Sequence, residues 1–287
     1  MKQQLENRQI RESFNRAAAA YNEAAVLQRE VESRVLERLE YMPLQPERVL
    51  DLGSGLGRST AELRQRYPEA TVIGADLAHA MLSAQPSGST RLCANAMRLP
   101  LASGSQDLVF SNLMLQWCND LPAVFAEIRR VLKPKGLFLF TTFGPDTLME
   151  LRHAWSVVDG GVHVNDFPDM HLVGDALVGA GFDDPVMDME HITVTYGAVR
   201  TLMRDLKTIG AHNVDARRRR SLTGKRRMLA MEAAYREHFE RDGVVPATYE
   251  VVYGHALGPP PGRPRRVGGM EEVTIPVDSL RGSRRRR

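Results

Sequence analysis

Between Arg48 and Phe143 short apolar runs alternate with amphipathic stretches, and this constrains the fold more than any other feature of the chain. The runs are RVLDLG, ATVIGADL, TRLCAN, DLVFSNL and LFLFTTF, and the stretches between them include STAELRQRY, AHAMLSAQ and LPAVFAEIRRVLKP. A strand that is apolar on both faces must be covered on both faces, and intervening helices supply that cover. The pattern therefore predicts an α/β fold, a doubly wound and mostly parallel sheet. Asp120–Leu121–Pro122 suits a helix start, with Asp120 as N-cap and Pro122 in the first turn, and Pro134 and Gly136 mark its expected end.

The flanks are helical. Ile10, Phe14, Ala18, Tyr21, Ala25, Gln28, Val35 and Leu39 recur at helical spacing over residues 9–40, and MPLQP ends that segment. Beyond Phe143, DTLMELRHAWSVV reads as a helix and HVNDFPDM as an irregular loop. HLVGDALVGAGF reads as a short helix capped by Asp169 and closed by Gly181. A strand, VMDMEHITVTY, helices around 198–209 and 224–241, and a strongly β-like ATYEVVYGHAL follow. The expected organisation is an N-terminal helical cap over 1–45, one sheet domain with helical insertions over 46–257, and a tail over 258–287. The tail opens with GPPPGRPRR and carries eight arginines against three acids, which predicts a disordered basic extension.

Bulk properties exclude several classes. With 43% hydrophobic and 25% charged residues and a net charge of +3, the composition is that of a soluble globular protein without a nucleic-acid-binding body. No apolar run approaches the ~18 residues of a membrane span. The charged N-terminus lacks the apolar core of a secretory signal. Cys93 and Cys118 both sit in apolar runs, which predicts buried thiols in a reducing cytoplasm.

The chemistry centres on VLDLGSGLGRST, where Gly53, Gly55 and Gly57 follow an apolar run ending in Asp51. A dinucleotide fingerprint needs its third glycine at position 58, where this chain has Arg58, and a P-loop needs a lysine followed by Ser or Thr. Neither pattern is met. The alternate glycines let the backbone turn sharply and approach a ligand closely. Asp76 ends the second run, where acids in doubly wound sheets meet ribose hydroxyls.

This combination resembles the class I S-adenosylmethionine-dependent methyltransferases. VLDLGSGLG matches their first motif and ADLAHAML the second, and CANAMRLPLASGSQDLVFSNLMLQW and LKPKGLFLFTTF follow in order over 48–143. The resemblance implies a Rossmann-like sheet of seven strands with the last antiparallel, ATYEVVYGHAL being that strand. It implies S-adenosyl-L-methionine as cofactor, with Asp51 near the methionine amino group, Gly53 to Gly57 beneath the cofactor and Asp76 on the ribose. Leu77, Asn95, Ala96, Met97 and Asn112 complete the implied cofactor set, with Asn95 and Ala96 at the adenine. Many members have Asp where Asn95 stands, but an amide oxygen also accepts from the adenine amino group.

The flanks narrow the acceptor. RESFNRAAAAYNEAAVLQREV, TTFGPDTLMELRHAW, HVNDFPDMHLVGDALVGAGF, LMRDLKTIGAHN and PATYEVVYGHA resemble the malonyl-[acyl-carrier protein] O-methyltransferase family of biotin biosynthesis. That implies methylation of the free carboxylate of a malonyl group, carried by acyl carrier protein or coenzyme A, to prime pimeloyl synthesis by a monomeric enzyme. Tyr21 is the candidate for closing over the methyl donor, or else a helix-face aromatic of the core, and Phe143 is expected to face the crevice. Arg152, Arg200 and Arg204 are candidates for the acid-binding cation, Arg204 foremost; each is otherwise a surface charge. His163 and His171 read as loop caps rather than metal ligands. Seven basic residues within 217–227 form either a carrier-docking patch or a solvated loop. Other readings stay open: a quinone or other small-molecule methyltransferase, and a protein resembling a respiratory complex I assembly factor that acts on protein arginine.

Overall fold

The computed structural model describes residues 5–219, 221 and 223–260, and the backbone of 265–267 and 270–272. Three helices open the chain, α1 (Asn7–Ala17), α2 (Tyr21–Ala24) and α3 (Val26–Glu37), where the spacing predicted one continuous helical segment. Alanine is the best helix former, so propensity does not make the break at Ala18–Ala20. Packing does. Ile10 of α1 is buried with Val214, and Phe14 packs beside it against Trp117. Val31 and Val35 of α3 lie in the main core instead. One straight helix cannot reach both places.

The alternating region then runs β1 (Arg48–Leu52), α4 (Arg58–Arg66), β2 (Thr71–Asp76), α5 (His79–Ser83), β3 (Thr90–Cys93), β4 (Gln106–Ser111), α6 (Leu121–Val131) and β5 (Leu132–Phe143). The insertions and closing strands are α7 (Met149–Ser156), α8 (Met170–Ala180), β6 (Asp183–Tyr196), α9 (Val199–Thr208), α10 (Lys225–Phe239) and β7 (Val245–Leu257). Seven strands form one sheet in the order β3-β2-β1-β4-β5-β7-β6. The first five are parallel, and β7 is antiparallel to both β5 and β6, as the resemblance implied. The order in which strands are added reverses between β1 and β4, β2 and β3 lying to one side and β4 and β5 to the other. The crevice beyond their carboxyl ends is therefore the topological switch point, where such sheets bind ligands.

Strand periodicity divides the core. Val49, Leu108, Phe110 and Leu139 face one layer with Val31, Leu63 and Tyr235, whereas Leu50, Val109, Phe138 and Phe140 face the other with Val124, Phe125 and Ile128. Phe125 meets Phe138 and Phe140 at 5.9 and 6.0 Å between ring centroids. Each such buried side chain contributes about 1.5–3 kcal/mol.

The predicted caps form. Asp120 accepts from Ala123 N at 3.0 Å, Asp169 accepts from His171 N at 2.7 Å, and Gly181 closes α8 at φ 81°. Helix α6, however, stops at Val131, short of Pro134 and Gly136. Those two residues lie where β5 shifts register against β4, and a Cβ on Gly136 would come 3.0 Å from the Asp107 and Lys133 carbonyls. Cys93 is exposed, contrary to expectation, because β3 is the open edge of the sheet; Cys118 is half-buried. In the tail, 265–267 (β8) pair antiparallel with 270–272 (β9); the rest of the extension predicted to be disordered lies outside the described residues. Among the described residues no helix is long and apolar enough to cross a membrane.

Candidate active site

The glycine turn joins β1 to α4 at the switch point. Gly53, Gly55 and Gly57 have φ of 82°, 50° and 82°, a region that side chains other than glycine's rarely enter. Gly53 also needs its missing Cβ for space, since one would meet the Met114 side chain at 2.5 Å. A Cβ on Gly55 would project into open space. The turn is held from β2: Gly53 N and Ser54 N donate to the Ala75 carbonyl at 2.8 and 3.0 Å, and Gly55 N donates to Asp76 Oδ2 at 3.0 Å. Asp76 Oδ1 accepts from Ala78 N at 2.8 Å. Burial raises the Asp76 pKa, and these backbone N–H groups work against that rise. Each carboxylate oxygen keeps a lone pair for a hydroxyl donor in the crevice.

The cavity in front of this turn is walled by Gly53, Gly55, Asp76 and Leu77 on one side and by Asn95, Ala96, Met97 and Asn112 on the other. Ile10, Phe14 and Tyr21 line it from the N-terminal helices. Asn95 Oδ1 accepts from Met97 N at 2.9 Å, which leaves its amide NH2 and one lone pair of that oxygen for a ligand. Asn112 ties α3 to β5, donating to the Gln28 carbonyl at 3.1 Å and accepting from Thr141 Oγ1 at 2.7 Å. Tyr21 packs against the buried cluster of Ala17, Ala78 and Met81, so it is both a core aromatic and a cavity wall. Burial and the nearby Asp76 and Glu32 carboxylates raise its phenol pKa.

Two residues of the glycine motif lie outside that wall. Gly57 begins α4 and packs against Gln85, which would stand 2.9 Å from a Cβ there. Asp51 is 1% exposed, and its Oδ2 accepts from Ser59 Oγ at 2.8 Å and Thr60 Oγ1 at 2.5 Å. It thereby fixes the start of α4. Burial pushes its pKa up to about 6, and the two hydroxyls oppose that shift.

A second cavity, about 840 Å³, adjoins the first, with Trp117 in the wall of both. Its sides are mostly apolar, with Leu151, Trp155, Phe167 and Tyr249 among them. Phe143 at the tip of β5 lines it, edge-on to Phe167 at 5.6 Å. The three candidate cations fare differently. Arg152 donates to the backbone carbonyls of Pro145 and Thr147, and Arg200 pairs with Glu232 at 2.6 Å. Arg204 lines the cavity, exposed, with Lys207 and Arg16. His163 stacks on Trp155 and meets Asp159 at 2.7 Å, while His171 meets Asp169 at 2.8 Å. Each histidine thus has a carboxylate partner within four residues, His163 in its loop and His171 at the N-terminus of α8.

Sequence reasoning missed Gln28 and Glu32, four apart on α3. Both line the cavity between Tyr21 and the glycine turn, and Gln28 also lines the larger one. The available signal was a pair of polar side chains at helical spacing beside buried Val31 and Val35.

A methyltransferase-domain family model matches residues 50–140, which run from β1 into β5. A malonyl-[acyl-carrier protein] O-methyltransferase of Laribacter hongkongensis is 54% identical over 271 residues, covering 90% of this chain and 91% of that protein. One from Gallionella capsiferriformans is 51% identical, covering 90% and 92%. The homologue from Halorhodospira halophila is 48% identical and covers 99% and 98%. Among solved structures, the YcgJ protein of Bacillus subtilis matches with a TM-score of 0.55 at 13% identity, covering 78% of this chain and 97% of that one. Phosphoethanolamine N-methyltransferase 2 of Haemonchus contortus, solved with S-adenosyl-L-methionine, matches at 0.51 and 17%, covering 85% and 57%. The solved structures share the fold; the identities over nearly full length go further, and the chain belongs to the malonyl-[acyl-carrier protein] O-methyltransferase family.

Proposed function

We propose that the chain transfers the methyl group of S-adenosyl-L-methionine to the free carboxylate of a malonyl thioester on acyl carrier protein. The observation that carries this reading is the pair of adjoining cavities, one with a ribose-type carboxylate on a glycine turn, the other apolar with cations among its lining. The first fits the cofactor by its donor set. Asp76 offers lone pairs to two hydroxyls, Gly53 and Gly55 leave room for close approach, and the Asn95 amide NH2 is free to donate to a purine nitrogen. When bound, S-adenosyl-L-methionine supplies an electrophilic methyl group on a sulfonium.

The chain has little acid–base work to do. A malonyl carboxyl titrates near ~4 and is already a nucleophilic anion at neutral pH. Catalysis then means aligning the carboxylate and excluding water from it. Arg204 orients the acid, and Phe143, Trp117 and Tyr249 shield it. Charge is neutralised as the methyl transfers, so a site dense in cations would favour the ground state. Arg204, Arg16 and Lys207 are exposed to water, which weakens that penalty. The ester replaces a charge with an apolar cap, allowing the acyl chain to enter pockets that reject an anion.

The test incubates the protein with methyl-labelled S-adenosyl-L-methionine and malonyl-carrier protein. One label should appear on the malonyl group and be released by mild alkali as an ester. Label on the carrier polypeptide, or none at all, would overturn the assignment.

A further inference from the structure

Beside the glycine turn the cofactor cavity continues into a small pocket lined by Tyr21, Gln28, Arg29, Glu32, Gly53 and Arg58. Glu32 is 8% exposed, and its Oε1 is buried without a hydrogen-bond donor. Arg58 Nε forms an ion pair with it at 3.3 Å but is not aligned to donate a hydrogen bond, and the Arg58 side chain is 43% exposed. One turn earlier on the same helix, the Gln28 Oε1 is also buried without a donor. Two acceptors four residues apart on α3 therefore line one small space and lack donors. Buried acceptors are ordinarily matched by donors, so two unmatched ones side by side call for an explanation.

The surroundings make the deficit one of positive charge. Asp51 repels Glu32 and Arg58 offsets this incompletely, so that Glu32 is pushed up to about 8 by burial first and Asp51 second. Asp51 is 1% exposed and gives its Oδ2 to Ser59 and Thr60, so it is committed in part to holding α4. What is missing is a small cation with several N–H donors. The amino-acid tail of the cofactor ends in an ammonium with three.

We infer that Glu32, with Gln28 Oε1 beside it, binds the α-ammonium of the cofactor's methionine tail, and that Arg58 and Arg29 face the tail's carboxylate. The assignment rests on the proposed cofactor. It moves the ammonium contact from Asp51 of the glycine motif to the N-terminal helical cap. That cap is thereby part of the cofactor site, reading the end of the ligand that plain nucleosides lack.

The test is a chemical mutant cycle read by calorimetry, with no turnover needed. Wild type and E32Q are each titrated with S-adenosylhomocysteine, with its deaminated analogue, and with 5′-methylthioadenosine, which has no tail. Wild type should prefer S-adenosylhomocysteine over the deaminated analogue by about tenfold or more, the worth of one charge-assisted hydrogen bond. E32Q should lose most of that preference while keeping its affinity for 5′-methylthioadenosine. An undiminished preference in E32Q would overturn the inference, as would an equal loss of all three ligands. Failure of wild type to bind S-adenosylhomocysteine would instead remove the cofactor reading beneath it.

Discussion

Gly55 and Asp76 lie on successive βα turns and are joined by a 3.0 Å hydrogen bond from backbone N–H to carboxylate. The glycine turn and the acid at the second strand tip are therefore one unit. Replacing Asp76 with alanine removes both the proposed ribose contact and the acceptor that holds the turn. Affinity for S-adenosylhomocysteine should fall by about thirtyfold or more, near 2 kcal/mol for a charged hydrogen bond. D76N, which keeps an acceptor for Gly55, should lose less. Calorimetric titration decides, and equal binding by D76A and wild type would remove Asp76 from the site.

The glycines should separate by mechanism. G53A places a Cβ 2.5 Å from the Met114 side chain at a φ of 82°, so strain and overlap both act on the fold. A loss of about 1–3 kcal/mol is expected, visible in thermal unfolding of the ligand-free protein. G55A meets no atom within 4 Å and carries only the backbone strain. It should unfold closer to wild type yet bind S-adenosylhomocysteine more weakly, because its methyl group points into the cavity space. A G55A protein that melts below G53A would contradict this assignment of causes.

The sheet was legible from residues 48–143 because buried parallel strands and their helices write a regular alternation, and Val49/Leu50 and Leu108/Val109 divide between the two layers as such a sheet requires. The glycine turn and the acid bonded to it were legible for a similar reason, since glycine with positive φ and an acid at a strand tip are local demands. Asp51 and Gly57 show the limit of motif reading. Their spacing marks the turn, but neither side of the pattern tells whether a residue faces the ligand or secures α4. Glu32 was invisible because its significance is an absent donor, which exists only once α3 is folded against the turn. The break between α1 and α2 was hidden for a related reason, as four alanines favour a helix that tertiary packing interrupts.

Stability of the ligand-free protein should depend on pH through Glu32. Its folded pKa, about 8, exceeds the ordinary value of 4.5, so the folded state retains a proton that the unfolded chain releases. The stabilisation is fully present below pH 4.5 and is lost as pH rises through about 8. Between these values the slope is about −1.4 kcal/mol per pH unit. E32Q holds no titrating group there. Its unfolding free energy should match wild type near pH 5 and exceed it above pH 8, whatever its affinity for the cofactor. Denaturant unfolding across that range checks the sign; parallel curves for the two proteins would mean that Glu32 does not titrate this way.

Arg200 and Arg204 stand on the same helix but in different settings. Arg200 is paired with Glu232, whereas Arg204 lines the larger cavity proposed for the acceptor. R204A should raise the KM for the malonyl substrate about three- to tenfold, the modest worth of a solvent-exposed charged contact, with affinity for S-adenosylhomocysteine unchanged. R200A should leave both constants near wild type. Steady-state kinetics with malonyl-coenzyme A suffices, and an R200A defect larger than that of R204A would reassign the acid-binding cation.

The basic segment over 217–227 is divided by its contacts into anchors and free charges. Arg217 pairs with Asp215 and Asp166 at 2.6 and 2.7 Å, Arg218 reaches Gln9 and Glu6, and Arg227 meets Asp159 at 3.3 Å. Charge reversal would disturb the joint with α1 at Arg218 and contacts within the insertions at Arg217 and Arg227, so it cannot report on docking. Lys225 and Arg226 are exposed at the start of α10, close in sequence to Thr223 and Met228, which line the larger cavity. An acidic carrier approaching the cavity would be steered by those two charges. The double variant K225E/R226E should therefore raise the KM for malonyl-carrier protein severalfold at low salt and leave that for malonyl-coenzyme A unchanged. Added salt should shrink the difference, because exposed charges are screened beyond about 10 Å at 0.1 M. If both substrates suffer alike, or neither does, the carrier docks elsewhere and the segment serves only to join α9 to α10.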